Sequence, residues 1–221
     1  MNIAIDGPSG AGKSSLAKAI AAVRGIVYVD TGALYRSIGL YMKQHAIDPH
    51  DEAAVTAALP GVTLSLAFRD GVQRIYLCGE EVGDRIRTPE MSLYASAVSA
   101  IGAVRTFLLD TQRKVAAECE VVMDGRDIGT VILPDAECKI FLTASPEARA
   151  RRRTEELLAK GMDVHYETVL EEMVLRDRND STREIAPAVP AEDAVFLDNS
   201  DMTAEETLRA ALAIIEKSEK N

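Results

Sequence analysis

Residues 7–14 read Gly7-Pro8-Ser9-Gly10-Ala11-Gly12-Lys13-Ser14, a complete G-x-x-x-x-G-K-[ST] loop. The apolar run Ile3-Ala4-Ile5 precedes it, and Ser15-Leu16-Ala17-Lys18-Ala19-Ile20-Ala21-Ala22, with helical apolar spacing, follows. Strand, tight loop and helix N-terminus in that order predict the phosphate-binding form of an α/β fold. Glycines let successive backbone N–H groups converge on phosphate oxygens, and the helix N-terminus adds partial positive charge. In this pattern the lysine, Lys13, reaches the β- and γ-phosphates and the Ser14 hydroxyl ligates Mg²⁺. The loop through Ser15 therefore predicts a bound nucleoside triphosphate such as ATP. It leaves open what receives the phosphate.

A chain of 221 residues can bury a substantial core as one domain carrying insertions. Its formal net charge of −10 argues against a nucleic-acid-binding surface, which needs a basic face. Arginines nevertheless cluster at 149–153 and 176–183, which suits a small, focused anion site better than a long polyanion track. Cys78, Cys119 and Cys138 lie far apart with no histidine nearby, so neither a zinc site nor a disulfide framework is expected. His45, His50 and His165 show no partner spacing. No apolar run approaches membrane-spanning length, and the N-terminus enters the first strand without a signal peptide. The expectation is a cytoplasmic protein with no membrane association, and a monomer, since nothing suggests an obligate interface.

Strand and helix signals alternate along most of the chain. Val27-Tyr28-Val29 reads as a second strand, followed by a helix from about Ala33 to His45. Glu120-Val121-Val122-Met123 and Lys139-Ile140-Phe141-Leu142 are compact apolar runs of the buried parallel type. Val195-Phe196-Leu197 is a last short strand, and Thr203 is the N-cap of a closing amphipathic helix to about Glu216. This alternation predicts a central parallel sheet flanked by helices, which with the loop is the P-loop nucleoside triphosphate hydrolase fold. One stretch departs from the rhythm. Val62 to Phe68 and Gln73 to Leu77 alternate polar and apolar around Arg69-Asp70-Gly71, a hairpin turn. An antiparallel insert over about 60–88 is expected, then helices at about 90–101 and 103–118 with Gly102 as the break.

Three constellations accompany the loop. Asp30-Thr31-Gly32-Ala33-Leu34-Tyr35-Arg36 follows the second strand, where open α/β sheets bind ligands and where an arginine can hold a phosphate. A helix capped by Thr31, with Tyr35 and Arg36 on the surface, accounts for it equally well. Asp124-Gly125-Arg126-Asp127-Ile128-Gly129-Thr130 ends another strand. Asp124 is placed there to organise Mg²⁺ through water, the alternative being a structural turn with surface charges. Arg149, Arg151, Arg152 and Arg153 fall in a helix after Pro146, and Arg176, Asp177, Arg178, Asp180 and Arg183 close a second one. Solvated, salt-bridged faces explain such charge. Two clusters bracketing Gly161 also suit a lid over about 146–183, whose arginines, Arg153 among them, neutralise a phosphoryl group in transfer.

Taken together, Ile5 to Ser14, Asp30 to Arg36, Arg85-Ile86-Arg87-Thr88, Asp124 to Thr130 and Arg176-Asp177-Arg178-Asn179-Asp180 resemble the bacterial cytidylate kinases. The resemblance spans essentially the whole chain. It implies ATP-dependent phosphorylation of CMP or dCMP, with about 31–100 as the acceptor-binding region. On matching positions it implies that Thr31, Tyr35 and Arg36 line the acceptor site, with Arg36 on the phosphate. Ser96, Arg105 and Asp127 would face the cytosine, Arg176 and Asp180 the sugar, and Arg126 and Arg183 the phosphates. Thr31 stands where the family often has Ser, and Asn179-Asp180-Ser181-Thr182 is less arginine-rich than in some relatives. Cytosine presents an amino donor where uracil presents an acceptor, so a carboxylate such as Asp127 can tell them apart. A UMP or AMP kinase shares the loop, lid and sheet. A GTP-dependent switch would carry Asn-Lys-x-Asp and Asp-x-x-Gly, and neither occurs.

Overall fold

The computed structural model describes residues 1–69 and 72–220; Asp70 and Gly71, where the hairpin turn is expected, and Asn221 lie outside the described residues. In chain order the elements are β1 (Ile3–Asp6), α1 (Lys13–Arg24), β2 (Val27–Asp30), α2 (Thr31–Gln44) and α3 (Glu52–Ala58). Then come β3 (Leu64–Arg69), β4 (Val72–Leu77), β5 (Glu80–Glu81), α4 (Pro89–Ser99) and α5 (Gly102–Glu118). The chain closes with β6 (Val121–Gly125), β7 (Cys138–Thr143), α6 (Pro146–Ala159), α7 (Tyr166–Thr182), β8 (Val195–Asp198) and α8 (Ala204–Ser218). These gather into two compact units, residues 1–26 with 122–221, and residues 27–121.

The first unit is built on parallel strands in the order β6-β1-β7-β8. All four residues of β1 are buried, which explains a strand sequence apolar up to its last residue rather than alternating. That last residue, Asp6, stands opposite Gly125 on one side and Phe141 on the other. Helices α1 and α8 pack together beside this sheet, and α8 is capped as its sequence predicts. The Thr203 hydroxyl accepts the Glu206 N–H while the Glu206 carboxylate accepts the Thr203 N–H, a capping box. Helices α6 and α7 form a pair with their own apolar seam of Ala150, Leu157, Val169 and Met173.

The second unit packs α2, α4 and α5 around Leu34, Ile38, Met42, Met91, Val98 and Leu108. Its three-stranded sheet, in the order β3-β4-β5, is the antiparallel insert, with Leu64 opposite Leu77 and Arg69 opposite Val72. Ile75 and Leu77 face the core of this unit, as the alternation in the sequence requires. Three details differ from expectation. Asp30, not Thr31, caps α2: its Oδ1 accepts the Ala33 N–H at 2.8 Å, and Thr31 is already helical. Gly102 opens α5, so the break falls at residues 100–101. Helix α3 has no signature in the sequence, because its seven residues bury one side chain, Val55, and show no apolar period. Among the described residues, no single helix is long and apolar enough to cross a membrane.

Candidate active site

The loop between β1 and α1 has the backbone its glycines allow. Gly7 has φ 146°, and a β-carbon there would run into the Leu142 carbonyl, so no side chain fits. Gly12 has φ 91° and sits at the N-cap of α1, a left-handed conformation that costs other residues strain. The helix then begins at Lys13, so the N–H groups of Lys13, Ser14 and Ser15 lack helical acceptors and form an anion-binding end. Ser14 and Ser15 are exposed there.

Lys13 itself is buried, and its Nζ donates to the Pro8 carbonyl at 2.7 Å. Burial, followed by the nearby Arg126 and Arg176 cations, holds its amine well below the usual lysine range; Asp124 and Asp6 act in the opposite sense. A lysine crowded by two arginines is an arrangement that a polyanion relieves. The Ser14 hydroxyl donates to Asp124 Oδ2 at 2.7 Å. Asp124 is buried at the end of β6, so a hydroxyl and a carboxylate oxygen stand side by side. Hard oxygen donors of this kind, few in number, fit Mg²⁺, which takes its remaining ligands from water and phosphate. No cluster of three or more acidic, histidine or cysteine side chains suited to a metal occurs among the described residues.

The carboxylate of Asp180, near the end of α7, organises the arginines. Arg126 Nε donates to its Oδ2 at 2.9 Å, and Arg176 Nε lies 3.9 Å from the same oxygen. Arg183 follows α7, donates to the Ala186 carbonyl at 2.6 Å and reaches within 3.9 Å of Asp127 Oδ1. Asp180, which the resemblance sets at the acceptor sugar, is in this structure the partner of Arg126. Arg153 pairs with Glu156 at 2.7 Å on its own helix. Arg149 is buried and bonds Asp177, Ser9 and Ala144, and Arg152 donates to Asn199 and Ser200. Within this cluster only part is a solvated face.

In the second unit the sequence block 30–36 forms a compact arrangement. Arg36 Nη2 donates to Asp30 Oδ2 at 2.9 Å, and Arg36 Nε is buried with no hydrogen-bond partner. Thr31 and Tyr35 are buried beside it on α2. The Arg105 guanidinium lies 5.5 Å from the centre of the Tyr35 ring and donates to the Ser99 carbonyl at 3.0 Å. Ser96 is half-buried one turn earlier on α4, its carbonyl accepting the Ser99 hydroxyl. The structure therefore brings Tyr35 and Arg105 together, and Arg36 to Asp30.

The cytidylate kinase family profile matches residues 3–217. A cytidylate kinase from Caldicellulosiruptor bescii is 48% identical over 221 residues, covering 100% of this chain and 98% of its own. One from Caldanaerobacter subterraneus subsp. tengcongensis is 48% identical over 220 residues, covering 100% and 96%. The chain belongs to the cytidylate kinase family. A crystal structure of an uncharacterized protein from Eubacterium ventriosum shares the fold, with a TM-score of 0.53 at 16% identity over 100% of this chain and 99% of that one. The arrangement of parallel strands and helices expected of the P-loop fold is the one observed.

In this member of the cytidylate kinase family three further side chains, to which the motifs gave no role, hold the loops around the site. Asp6 accepts the Ile128 and Gly129 N–H groups, each at 2.7 Å. Asn199, just past β8, donates from Nδ2 to the Ala11 carbonyl inside the phosphate loop at 3.1 Å. Asp177 accepts the Ser9 N–H at 3.2 Å and pairs with Arg149 at 2.6 Å. Asp6 and Asn199 share one sequence signal, their position at the carboxyl ends of parallel strands, where ligands bind in such folds; Asp177, within α7, has none.

Proposed function

We propose that the protein transfers the γ-phosphate of ATP to CMP or dCMP, giving ADP and CDP or dCDP. The observation that carries this is the phosphate loop, with Lys13 Nζ held on the Pro8 carbonyl at the start of α1, in a chain whose full-length relatives are cytidylate kinases. The acceptor phosphate is already ionised at neutral pH, so no protein base is required. An oxygen of that phosphate forms a bond to the γ-phosphorus as the bond to the β,γ-bridging oxygen breaks, and ADP keeps the electron pair. Catalysis is then positioning and charge neutralisation.

In this reading Gly7 to Ser15 hold the triphosphate, Lys13 and Arg126 meet the charge on the transferred group, and Arg183 and Arg153 assist from the 146–183 region. Ser14 and Asp124 would hold Mg²⁺, the latter through water, and the ion would supply positive charge to offset that of the phosphates. Arg36, held by Asp30, takes the acceptor phosphate, and Thr31 and Tyr35 line its surroundings. Ser96, Arg105 and Asp127 face the base, and Arg176 and Asp180 the sugar. Region 31–100 serves the acceptor, the 60–88 hairpin helping to cover it. Initial rates with CMP, dCMP, UMP and AMP under saturating Mg-ATP test the reading. CMP and dCMP are expected to lead; a preference for UMP or AMP would place the chain with another acceptor.

A further inference from the structure

The turn after Asp127 has an unusual construction. Residues 128–132 form one π-helical turn, with Ile132 N–H reaching the Asp127 carbonyl at 3.2 Å and Leu133 N–H the Ile128 carbonyl at 2.7 Å. The leading N–H groups of any helical turn have no acceptor within it. An aspartate at the N-cap position ordinarily supplies one from its own side chain. Asp127 occupies that position and makes no such bond. The acceptor comes instead from Asp6, 122 residues earlier, whose Oδ1 takes the Ile128 N–H and whose Oδ2 takes the Gly129 N–H.

We infer that Asp6 is a positioning residue for base recognition: it caps the turn in place of Asp127 and thereby fixes where the Asp127 carboxylate stands. This rests on the reading of Asp127 as the group that faces the base. Asp6 is suited to the task by its place on the sheet. It ends the buried strand β1 directly opposite Gly125, two residues before Asp127, so both anchors of the turn belong to one rigid sheet. Clearance is tight on the other side. A β-carbon at Gly129 would come within 3.4 Å of Asp6 Oδ2 and 3.1 Å of Lys139 Cδ. Burial pushes the Asp6 carboxyl up to about 6 against the two N–H bonds, so keeping this carboxylate ionised is costly. An asparagine, with one acceptor oxygen, would satisfy one N–H and oppose the other.

The experiment is a cycle of Asp6→Asn and Asp127→Asn, reading kcat/KM for CMP divided by that for UMP. Asp6→Asn is expected to lower this ratio about tenfold, and to leave it unchanged when Asp127→Asn is already present. A loss shared equally by CMP and UMP would overturn the inference, marking Asp6 as a structural support only. A further drop of the ratio in the Asp127→Asn background would overturn it too, since Asp6 would then act independently. If Asp127→Asn alone left the ratio unchanged, the reading of Asp127 would fail first, and the inference with it. Gly129→Ala presses on the same contact from the far side and is read in the same two backgrounds. It carries the test should Asp6→Asn not accumulate as folded protein.

Discussion

Asp30 Oδ2 lies 2.9 Å from Arg36 Nη2, while Oδ1 of the same carboxylate accepts the Ala33 N–H at 2.8 Å. One side chain therefore caps α2 and aims the arginine that stands a turn and a half along it. Asp30→Ala is expected to raise the KM for CMP about tenfold, the scale of a hydrogen bond to a charged group, with the KM for ATP little changed. Loss of the cap should cost about 1 kcal/mol in urea unfolding. Equal increases in both KM values would argue against Arg36 as the acceptor-phosphate ligand.

Lys13 is buried among cations, so it serves transfer at the expense of stability. Lys13→Ala is expected to lower kcat at least about 100-fold, while the melting temperature holds or rises. A large fall in melting temperature, with kcat reduced only in proportion to unfolding, would make Lys13 a structural residue.

Arg149 is 3% exposed and pairs with Asp177 at 2.6 Å, and Asp177 also takes the Ser9 N–H. Asp177→Ala leaves the arginine buried without its carboxylate, at a cost of about 3–5 kcal/mol. Denaturant unfolding measures this directly. A change below about 1 kcal/mol would mean that solvent screens the pair as it does at a surface.

Asp6 predicts a pH dependence of known sign. Burial raises its carboxyl from 3.8 to about 6, with Asp127 adding to the rise and Lys13 opposing it. Between those values the native state holds a proton that the unfolded chain has released, so stability falls as pH rises. Relative to Asp6→Asn, the wild type should be most stable below about pH 4. It should lose about 3 kcal/mol up to pH 6 and then level off. Urea titrations of both proteins from pH 4 to 7 would show it; a difference that stays flat across that range excludes an elevated Asp6.

The strands of the first unit and the phosphate loop were readable because their signals are local. A buried parallel strand is a short apolar run, and the loop is eight consecutive residues whose glycines meet steric demands made by near neighbours and one carbonyl. The antiparallel hairpin showed in its period of two, and the closing helix in Thr203 and Glu206. Helix α3 left no trace because seven residues burying only Val55 carry no period. Asp30 was in view within its motif, yet which of Asp30 and Thr31 caps α2 depends on backbone dihedrals. The arginines divided in a way that charge alone could not foretell. Arg149 turned inward to Asp177 and the phosphate loop, and Arg153 stayed with Glu156 on the helix surface.

A phosphate-binding loop at a strand–helix junction of a parallel α/β sheet is legible in the chain alone, as is the resemblance to the cytidylate kinases. Those properties follow from residues adjacent along the chain, where sterics and hydrophobic period act over a few positions. Which side chains hold the phosphate loop and the turn after Asp127 in shape depends on contacts that close in the folded chain. Asp6 reaches Ile128 across 122 residues, Asp177 reaches Ser9 across 168, and Asn199 reaches Ala11 across 188. The first and last arise because parallel strands bring their carboxyl ends together, whatever their separation in the chain, and the second because α7 lies against the phosphate loop. A buried polar group must then find its partner among whatever the fold sets beside it.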